Sequence, residues 1–336
     1  MNKFKHFLGI DVSKDYFDAS IIMNGIKEDP IHNQFENSYK GMISFRKWSK
    51  EMGATKENTL VCFEHTGVYG KLITKYLLAF GFSFWIEMPI KIIRSIGLQR
   101  GKNDKIDSAR IAFYALKNQE NAVIYCAPSK TVECIRTLLS LRDKLIKSKT
   151  SLKNTSNELK TFDLKLAKIT EKHQKNALKG IEFDLKNIEI ELNNLINKDE
   201  NIERTYKLAS SVVGIGKVTA LYLICFTNEF TMYSTPRELA CYVGIAPFGH
   251  RSGKTIRGKT KVHPMANKKL KKELCLCAMS AIQWDPEIKE YFARKVASGK
   301  QKMLVLNNVK NKLIHRVCAC VRENKLFKVK EMIEVA

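Results

Sequence analysis

Four carboxylates stand in the order Asp, Glu, Asp, Asp at Asp11, Glu64, Asp104 and Asp107. Asp11 ends the apolar run HFLGID and Glu64 ends LVCFE, which predicts two neighbouring strands whose carboxyl ends carry the acids, where open sheets hold their sites. Asp104 and Asp107 open a predicted helix. In KNDKIDSARIAFYAL the apolar residues Ile106, Ile111, Ala112 and Leu116 recur at helical spacing, and the i, i+3 offset sets both aspartates on one face. Each acid alone would pass as a cap or a helix-dipole partner. Four together, in this order, repel one another unless divalent cations neutralise them. Two Mg²⁺ or Mn²⁺ ions roughly 4 Å apart would activate an attacking oxygen and stabilise a leaving one in phosphodiester cleavage, and hard cations select oxygen ligands. The pattern therefore points to a metal-dependent nuclease or recombinase. Asp15 and Asp18 follow the strand end and read as solvated turn and second-strand residues.

The elements that must position these acids are an α/β set over residues 1–125. HFLGIDVS and YFDASIIM predict a hairpin, followed by an extended or helical polar segment to Thr55. Strand TLVCFEH, helix GKLITKYLLAF, strand FSFWIEM and the Asp104 helix come next. Strands first, then strands alternating with helices, suits a ribonuclease-H-like fold. Residues 126–205 are rich in Leu, Lys, Glu and Asn. Leu138, Leu141, Leu145, Leu152, Leu159, Phe162 and Leu166 keep a heptad-like rhythm, and Ile181, Leu185, Ile188, Leu192 and Leu195 form a cleaner run. An antiparallel helical hairpin turning near Asn176–Gly180 is expected. It could serve as a spacer, as an oligomerisation arm or as a basic strut along nucleic acid, and the sequence does not choose.

Residues 206–336 are expected to be mainly helical. SSVVGIGKVTALYLICF sets Gly214 and Gly216 between two helical segments, like a helix-hairpin-helix turn whose backbone amides can hold a phosphate. Helix ends use glycine routinely, so the pair alone is weak. FGHRSGKTIRGKTKVHPMANKKLKK is more telling: Arg251, Lys254, Arg257, Lys259, Lys261, Lys268 and Lys269 lie in it without one acidic residue. A solvated face would intersperse Glu and Asp, so a phosphate-gripping loop is expected. Ser252, inside it, reads on its own as a phosphate hydrogen-bond donor, since a serine hydroxyl is a poor nucleophile without activation.

The whole-chain charge agrees. With 58 Lys and Arg against 34 Asp and Glu the formal net charge is +24, which is self-repulsive until a polyanion such as nucleic acid neutralises it. No stretch is long and apolar enough to span a bilayer, and the N-terminus enters a strand without a secretory pattern. Nine dispersed cysteines indicate a reducing, cytoplasmic setting rather than a disulfide framework. The pairs Cys275/Cys277 and Cys318/Cys320 lack zinc-knuckle spacing and read as buried hydrophobes.

These segments carry a resemblance. GIDVSKDYFDA, VCFEHTGVYG, KNDKIDSARIA, SVVGIGKVTALYL, ELACYVGIAPFGHRSGKTIRGKT and VHPMANKKLKKEL together resemble the DEDD insertion-sequence transposases, relatives of Piv-type DNA invertases that include bridge-RNA-guided recombinases. The match spans nearly the whole chain and is least distinctive in the helical middle. It implies a RuvC-like domain with Asp11, Glu64, Asp104 and Asp107 as Mg²⁺ ligands, a coiled coil, and a transposase domain whose catalytic serine maps onto Ser252. It further implies donor and target DNA duplexes, a structured guide RNA from the element, and a homo-oligomer of two to four chains acting at the bacterial nucleoid. His65 and His250 adjoin Glu64 and Ser252, and Lys102, Asn103 and Lys105 adjoin the helix acids. A RuvC-like endonuclease using water and a non-enzymatic basic scaffold are the competing functions.

Overall fold

A computed structural model describes residues 4–25, 29–96, 103–233, 235–252, 256–262 and 265–329. The chain divides into two compact units, Met1–Ala127 and Pro128–Ala336. In the first, β1 (His6–Val12), β2 (Tyr16–Ile22), β3 (Ile31–Glu36), α1 (Tyr39–Glu51), β4 (Thr59–Glu64), α2 (Lys71–Ala79), β5 (Ser83–Glu87), α3 (Pro89–Ile96) and α4 (Asp104–Lys117) follow in order. The sheet runs β3-β2-β1-β4-β5. The β1–β2 and β2–β3 pairs are antiparallel, whereas β1–β4 and β4–β5 are parallel. This mixed five-stranded sheet is consistent with the expected ribonuclease-H-like class. The polar stretch before Thr55 resolves into β3 and α1, and α3 is an addition the sequence reading did not contain.

Alternation along β1 sorts its residues between two cores. Leu8, Ile10 and Val12 pack with Phe17, Phe35, Phe45, Trp48, Phe63, Ile73 and Leu77, under α1 and α2. Phe7 joins Ile22, Leu60, Cys62, Trp85, Ile111 and Ala115, under α4. The edge strand β3 is short and mostly exposed, with Phe35 its buried residue.

The second unit holds α5 (Lys130–Leu159), α6 (Leu164–Lys198), α7 (Glu200–Ser210), α8 (Lys217–Thr227), α9 (Pro236–Val243), β6 (Phe248–Ser252), β7 (Ile256–Lys261), α10 (Lys268–Trp284), α11 (Pro286–Ala297) and α12 (Lys302–Glu323). Helices α5 and α6 form the expected hairpin, but its turn lies at 160–163 rather than near Asn176–Gly180. Asp163 dictates this: its side chain accepts from the Lys165 and Leu166 amides and starts α6. Gly180 meets nothing within 4 Å and only weakens the helix, by about 1 kcal/mol, without ending it. The second apolar run keeps its place, with Ile188 and Leu192 buried. Leu141, Phe162 and Leu166 of the first run are exposed instead, while Ser156 and Ala167 are buried.

The base of the hairpin shares one core with the helices that follow. Val132, Ile135, Leu139, Ile188, Leu192 and Ile196 pack with Leu221, Leu274, Val309 and Leu313. Cys277 and Cys320 are buried in that core with Cys275 and Cys318 partly buried beside it, as small hydrophobes. Among the described residues no helix is long and apolar enough to cross a membrane.

Candidate functional site

Gly9 determines how the acids meet. A Cβ there would lie 2.2 Å from the Ala112 amide nitrogen and 2.3 Å from the Ser108 carbonyl oxygen, so only glycine lets α4 lie this close on β1. Ser20 Oγ and Ser108 Oγ share a buried hydrogen bond of 2.7 Å that fastens α4 to β2. Two residues beyond Gly9, on the same face of β1, is Asp11. Asn103 caps α4 by accepting from the Lys105 amide at 2.9 Å, and Asp104 and Asp107 occupy the first turn, where the helix dipole favours negative charge. Arg110 Nη1 donates to Asp107 Oδ1 at 2.8 Å. Glu64 closes β4, followed by a tight turn in which Gly67 adopts φ +63°.

The electrostatics report the convergence. Burial, and then the negative charges of Glu64, Asp104, Asp107 and Asp18, push the Asp11 carboxyl up to about 6 from its ordinary 3.8. An all-oxygen donor set of this charge fits hard divalent cations such as Mg²⁺. Among the described residues, however, no three His, Cys, Asp or Glu side chains are drawn together tightly enough to hold an ion as they stand.

Two further acids share this face. Asp18 pairs in register with Asp11 and is only 5 % exposed, so it is not a solvated strand residue. Its carboxylate accepts from His32 Nε2 at 2.7 Å and from Gln34 Nε2 at 3.1 Å. Glu87 pairs in register with Glu64, accepts from Tyr114 Oη at 3.1 Å and lies 3.1 Å from Lys91 Nζ. Strand alternation could have found both: Asp18 faces Asp11 across a hairpin centred on Lys14 and Asp15, and FSFWIE ends in an acid as LVCFE does.

In the second unit the basic segment forms a two-stranded antiparallel hairpin, where a loop was expected. Its β-branched Ile256 and Thr260 suit strand geometry. Arg251 pairs with Arg257 and His250 with Gly258, with an irregularity between Phe248 and His250. Ser252 pairs with Ile256 and is the last residue of β6, at the tip. Lys259 and Lys261 continue β7. Lys254 and, in the first unit, Lys102 lie outside the described residues.

Lys268 is exposed at the start of α10, but Lys269 is engaged within the fold. Its ammonium donates to Asp143 Oδ1 at 2.7 Å, lies 2.9 Å from Glu273 Oε1 and sits over the Tyr222 ring. Burial alone would lower its pKa; the bonds to Asp143 and Glu273 outweigh that and raise it. Gly214, at φ +94°, is required by packing, since a Cβ would lie 2.6 Å from the Cys277 carbonyl oxygen. Gly216 caps α8 with no side-chain hydrogen bond and is exposed.

Two family descriptions match this chain. The DEDD transposase model of the IS110 type covers residues 8–160, and the model described as "Transposase IS116/IS110/IS902 family" covers residues 206–293. The chain belongs to the IS110-type transposases. Its matched regions contain all four acids of the site and Ser252. Among relatives of these transposases, the "Pilin gene-inverting protein" of Moraxella lacunata is 24% identical over 96% of this chain and 98% of its own length. The transposase for insertion sequence element IS1111A of Coxiella burnetii is 27% identical over 46% of this chain and 48% of its own.

Proposed function

We propose that this IS110-type transposase cuts and rejoins two DNA duplexes by serine chemistry assisted by divalent metal. The observation that carries the reading is the placement of the acids: Asp11 and Glu64 follow the paired Ile10 and Phe63 at one end of two parallel strands, and Asp104 and Asp107 stand in the first turn of α4, packed on Gly9. The repulsion among them, which raises the proton affinity of Asp11, is one that cations would relieve. Asp11, Glu64, Asp104 and Asp107 would hold Mg²⁺ or Mn²⁺, which supplies charge neutralisation and Lewis acidity at the scissile phosphate. Ser252 Oγ attacks phosphorus, an Oγ–P bond forms, the P–O bond to one deoxyribose breaks, and the serine proton passes to solvent while the leaving oxygen is protonated. Arg251, Lys254 and Arg257 neutralise the charge that develops on the phosphoryl oxygens. Reversal by a hydroxyl of the other duplex rejoins the strands, and the phosphoserine link conserves the bond energy. Lys259, Lys261 and Lys268, with the amides near Gly214 and Gly216, hold flanking phosphates. Lys269 supports α10.

The three functional parts are 1–125, 126–205 and 206–336, and the active assembly contains several chains because two duplexes are cut on both strands. An RNA from the element would select donor and target sites by base pairing. The likeness to a pilin gene-inverting protein over 96% of this chain favours a second reading, a site-specific invertase that needs no guide.

The test incubates protein purified from cells carrying its flanking DNA with labelled duplexes and Mg²⁺. A denaturation-resistant protein–DNA adduct absent from Ser252→Ala is expected, and cleavage without any adduct would assign the reaction to water. Recombination that survives nuclease digestion of all co-purified RNA would select the invertase.

A further inference from the structure

Three loops close over the end of the first unit's sheet where Asp11 and Glu64 lie, and a single side chain ties them together. Asn37 Nδ2 donates to the Ser13 carbonyl at 3.0 Å and to the Tyr69 carbonyl at 3.1 Å, and its own amide donates to the Asp15 carbonyl at 2.8 Å. Ser13 Oγ in turn donates to the Tyr16 carbonyl at 2.6 Å. The result is a fixed lip. It displays three tyrosines to solvent: Tyr16 at 49%, Tyr69 at 44% and Tyr39, two residues past Asn37, at 77% exposed. Tyr16 opens β2, Tyr39 opens α1 and Tyr69 lies on the turn between β4 and α2. Single exposed aromatics need no explanation, but three at the ends of segments braced by one asparagine are a built feature. Tyr16 also belongs to the face of β2 that carries Asp18, two residues on, and so stands just beyond the Asp11–Asp18 pair. Exposed Lys14, Lys40 and Lys71 each lie one or two residues from Tyr16, Tyr39 and Tyr69 in turn.

This combination has a chemical meaning. The carboxylate face repels a phosphate backbone, so a strand reaching it needs cations at the entrance. Lysines supply those, and flat rings offer stacking to bases. Bases paired in a duplex are already stacked on both faces and cannot use a ring; unpaired ones can. We propose that this lip is a stacking platform for unpaired DNA, holding nucleotides splayed from the strand that enters the carboxylate site. Because Asn37 braces the loops in advance, little ordering is needed on binding. The choice of DNA rests on the reading of the carboxylates as a strand-cutting site; the stacking itself does not.

The test uses the full chain in EDTA, so that no cleavage chemistry enters. Fluorescein-labelled oligo-dT, oligo-rU and a blunt duplex are titrated at low salt against the wild type, a Tyr16→Ala/Tyr39→Ala/Tyr69→Ala variant and the matching triple Phe variant. Loss of about tenfold or more in oligo-dT affinity is expected for the Ala variant. Retention in the Phe variant, with duplex binding unchanged in both, is expected as well. Equal loss on duplex and single strand, no loss on oligo-dT, or loss confined to oligo-rU would each overturn the proposal, the last by making the lip an RNA site. An Asp11→Asn control separates the two readings. If that variant still cleaves DNA, the carboxylate reading fails while the oligo-dT result for the lip stands or falls by itself.

Discussion

Replacing Asp11 by its neutral isostere should stabilise the metal-free protein while abolishing its cleavage. The carboxyl titrates at about 6 in the folded chain against 3.8 ordinarily. At about 1.4 kcal/mol per tenfold in the protonation equilibrium the ceiling is about 3 kcal/mol. Asp11 is only partly buried, and solvent screening brings the expected gain for Asp11→Asn down to about 1–2 kcal/mol at pH 8 in EDTA. The sign follows from linkage. A raised acid pKa means that the neutral form favours folding, so the contribution is full below pH 3.8 and lost as pH rises through 6. Asparagine keeps the neutral state throughout. The advantage of the variant should be greatest at pH 8 and fall to about a third of that by pH 4.5. Urea unfolding followed by tryptophan fluorescence reads the correct unit, because Trp48 and Trp85 are buried in it at 8% and 3% exposure while Trp284 is 75% exposed. An Asp11→Asn variant no more stable than wild type at pH 8, or a gap independent of pH, would refute the idea that these carboxylates repel one another.

Other perturbations probe the same design. Adding Mg²⁺ at about 100 times its Kd should stabilise the wild type by about 2.7 kcal/mol at pH 8 and leave Asp11→Asn nearly unmoved, as a thermal shift would show. Gly9→Ala would drive a Cβ into the Ser108 and Ala112 backbone, and a loss of about 3 kcal/mol or more in urea, together with lost cleavage, is expected as α4 is pushed away. Lys269→Ala should destabilise the second unit by about 1–3 kcal/mol in calorimetry, since Asp143 and Glu273 would face each other without their shared cation. Lys268→Ala should leave stability unchanged and reduce the salt dependence of duplex binding by about one counterion.

The β1–β2 hairpin, strands β4 and β5 and the position of α4 were legible in the sequence because they rest on local signals: apolar runs such as HFLGID and LVCFE, and the 3.6-residue rhythm that follows Asp104. Asp18 and Glu87 escaped because their membership depends on register between strands, and the alternation that hints at it, Asp18 across the turn from Asp11 and Glu87 ending β5 as Glu64 ends β4, has to be carried from one strand to its neighbour. The hairpin turn escaped for a related reason. A helix interior tolerates Asn176 and Gly180 at a small penalty, whereas Asp163 satisfies two amides at once; comparing the gain of a cap with the loss at a weak helix former would have chosen 160–163. The Leu138-to-Leu166 rhythm misled because a heptad shows which residues could meet, not which partner they find.

Lys269 shows why charge counting alone stops short of a binding surface. In KKLKKE the lysines at 268, 269, 271 and 272 look equivalent, and an excess of basic residues without acids nearby in sequence predicts phosphate contact for all of them. Helical geometry separates them. Glu273 is four residues on from Lys269 and therefore beneath it on the same face, while Asp143, 126 residues away in sequence, is brought to the same ammonium by the packing of α10 near α5. With two carboxylates and the Tyr222 ring around it, Lys269 would have to surrender both ion pairs to reach DNA, whereas Lys268 would surrender none that the fold needs. A basic segment thus divides into cations that hold the scaffold and cations that remain for the polyanion. The division is set by carboxylates that lie elsewhere in the chain.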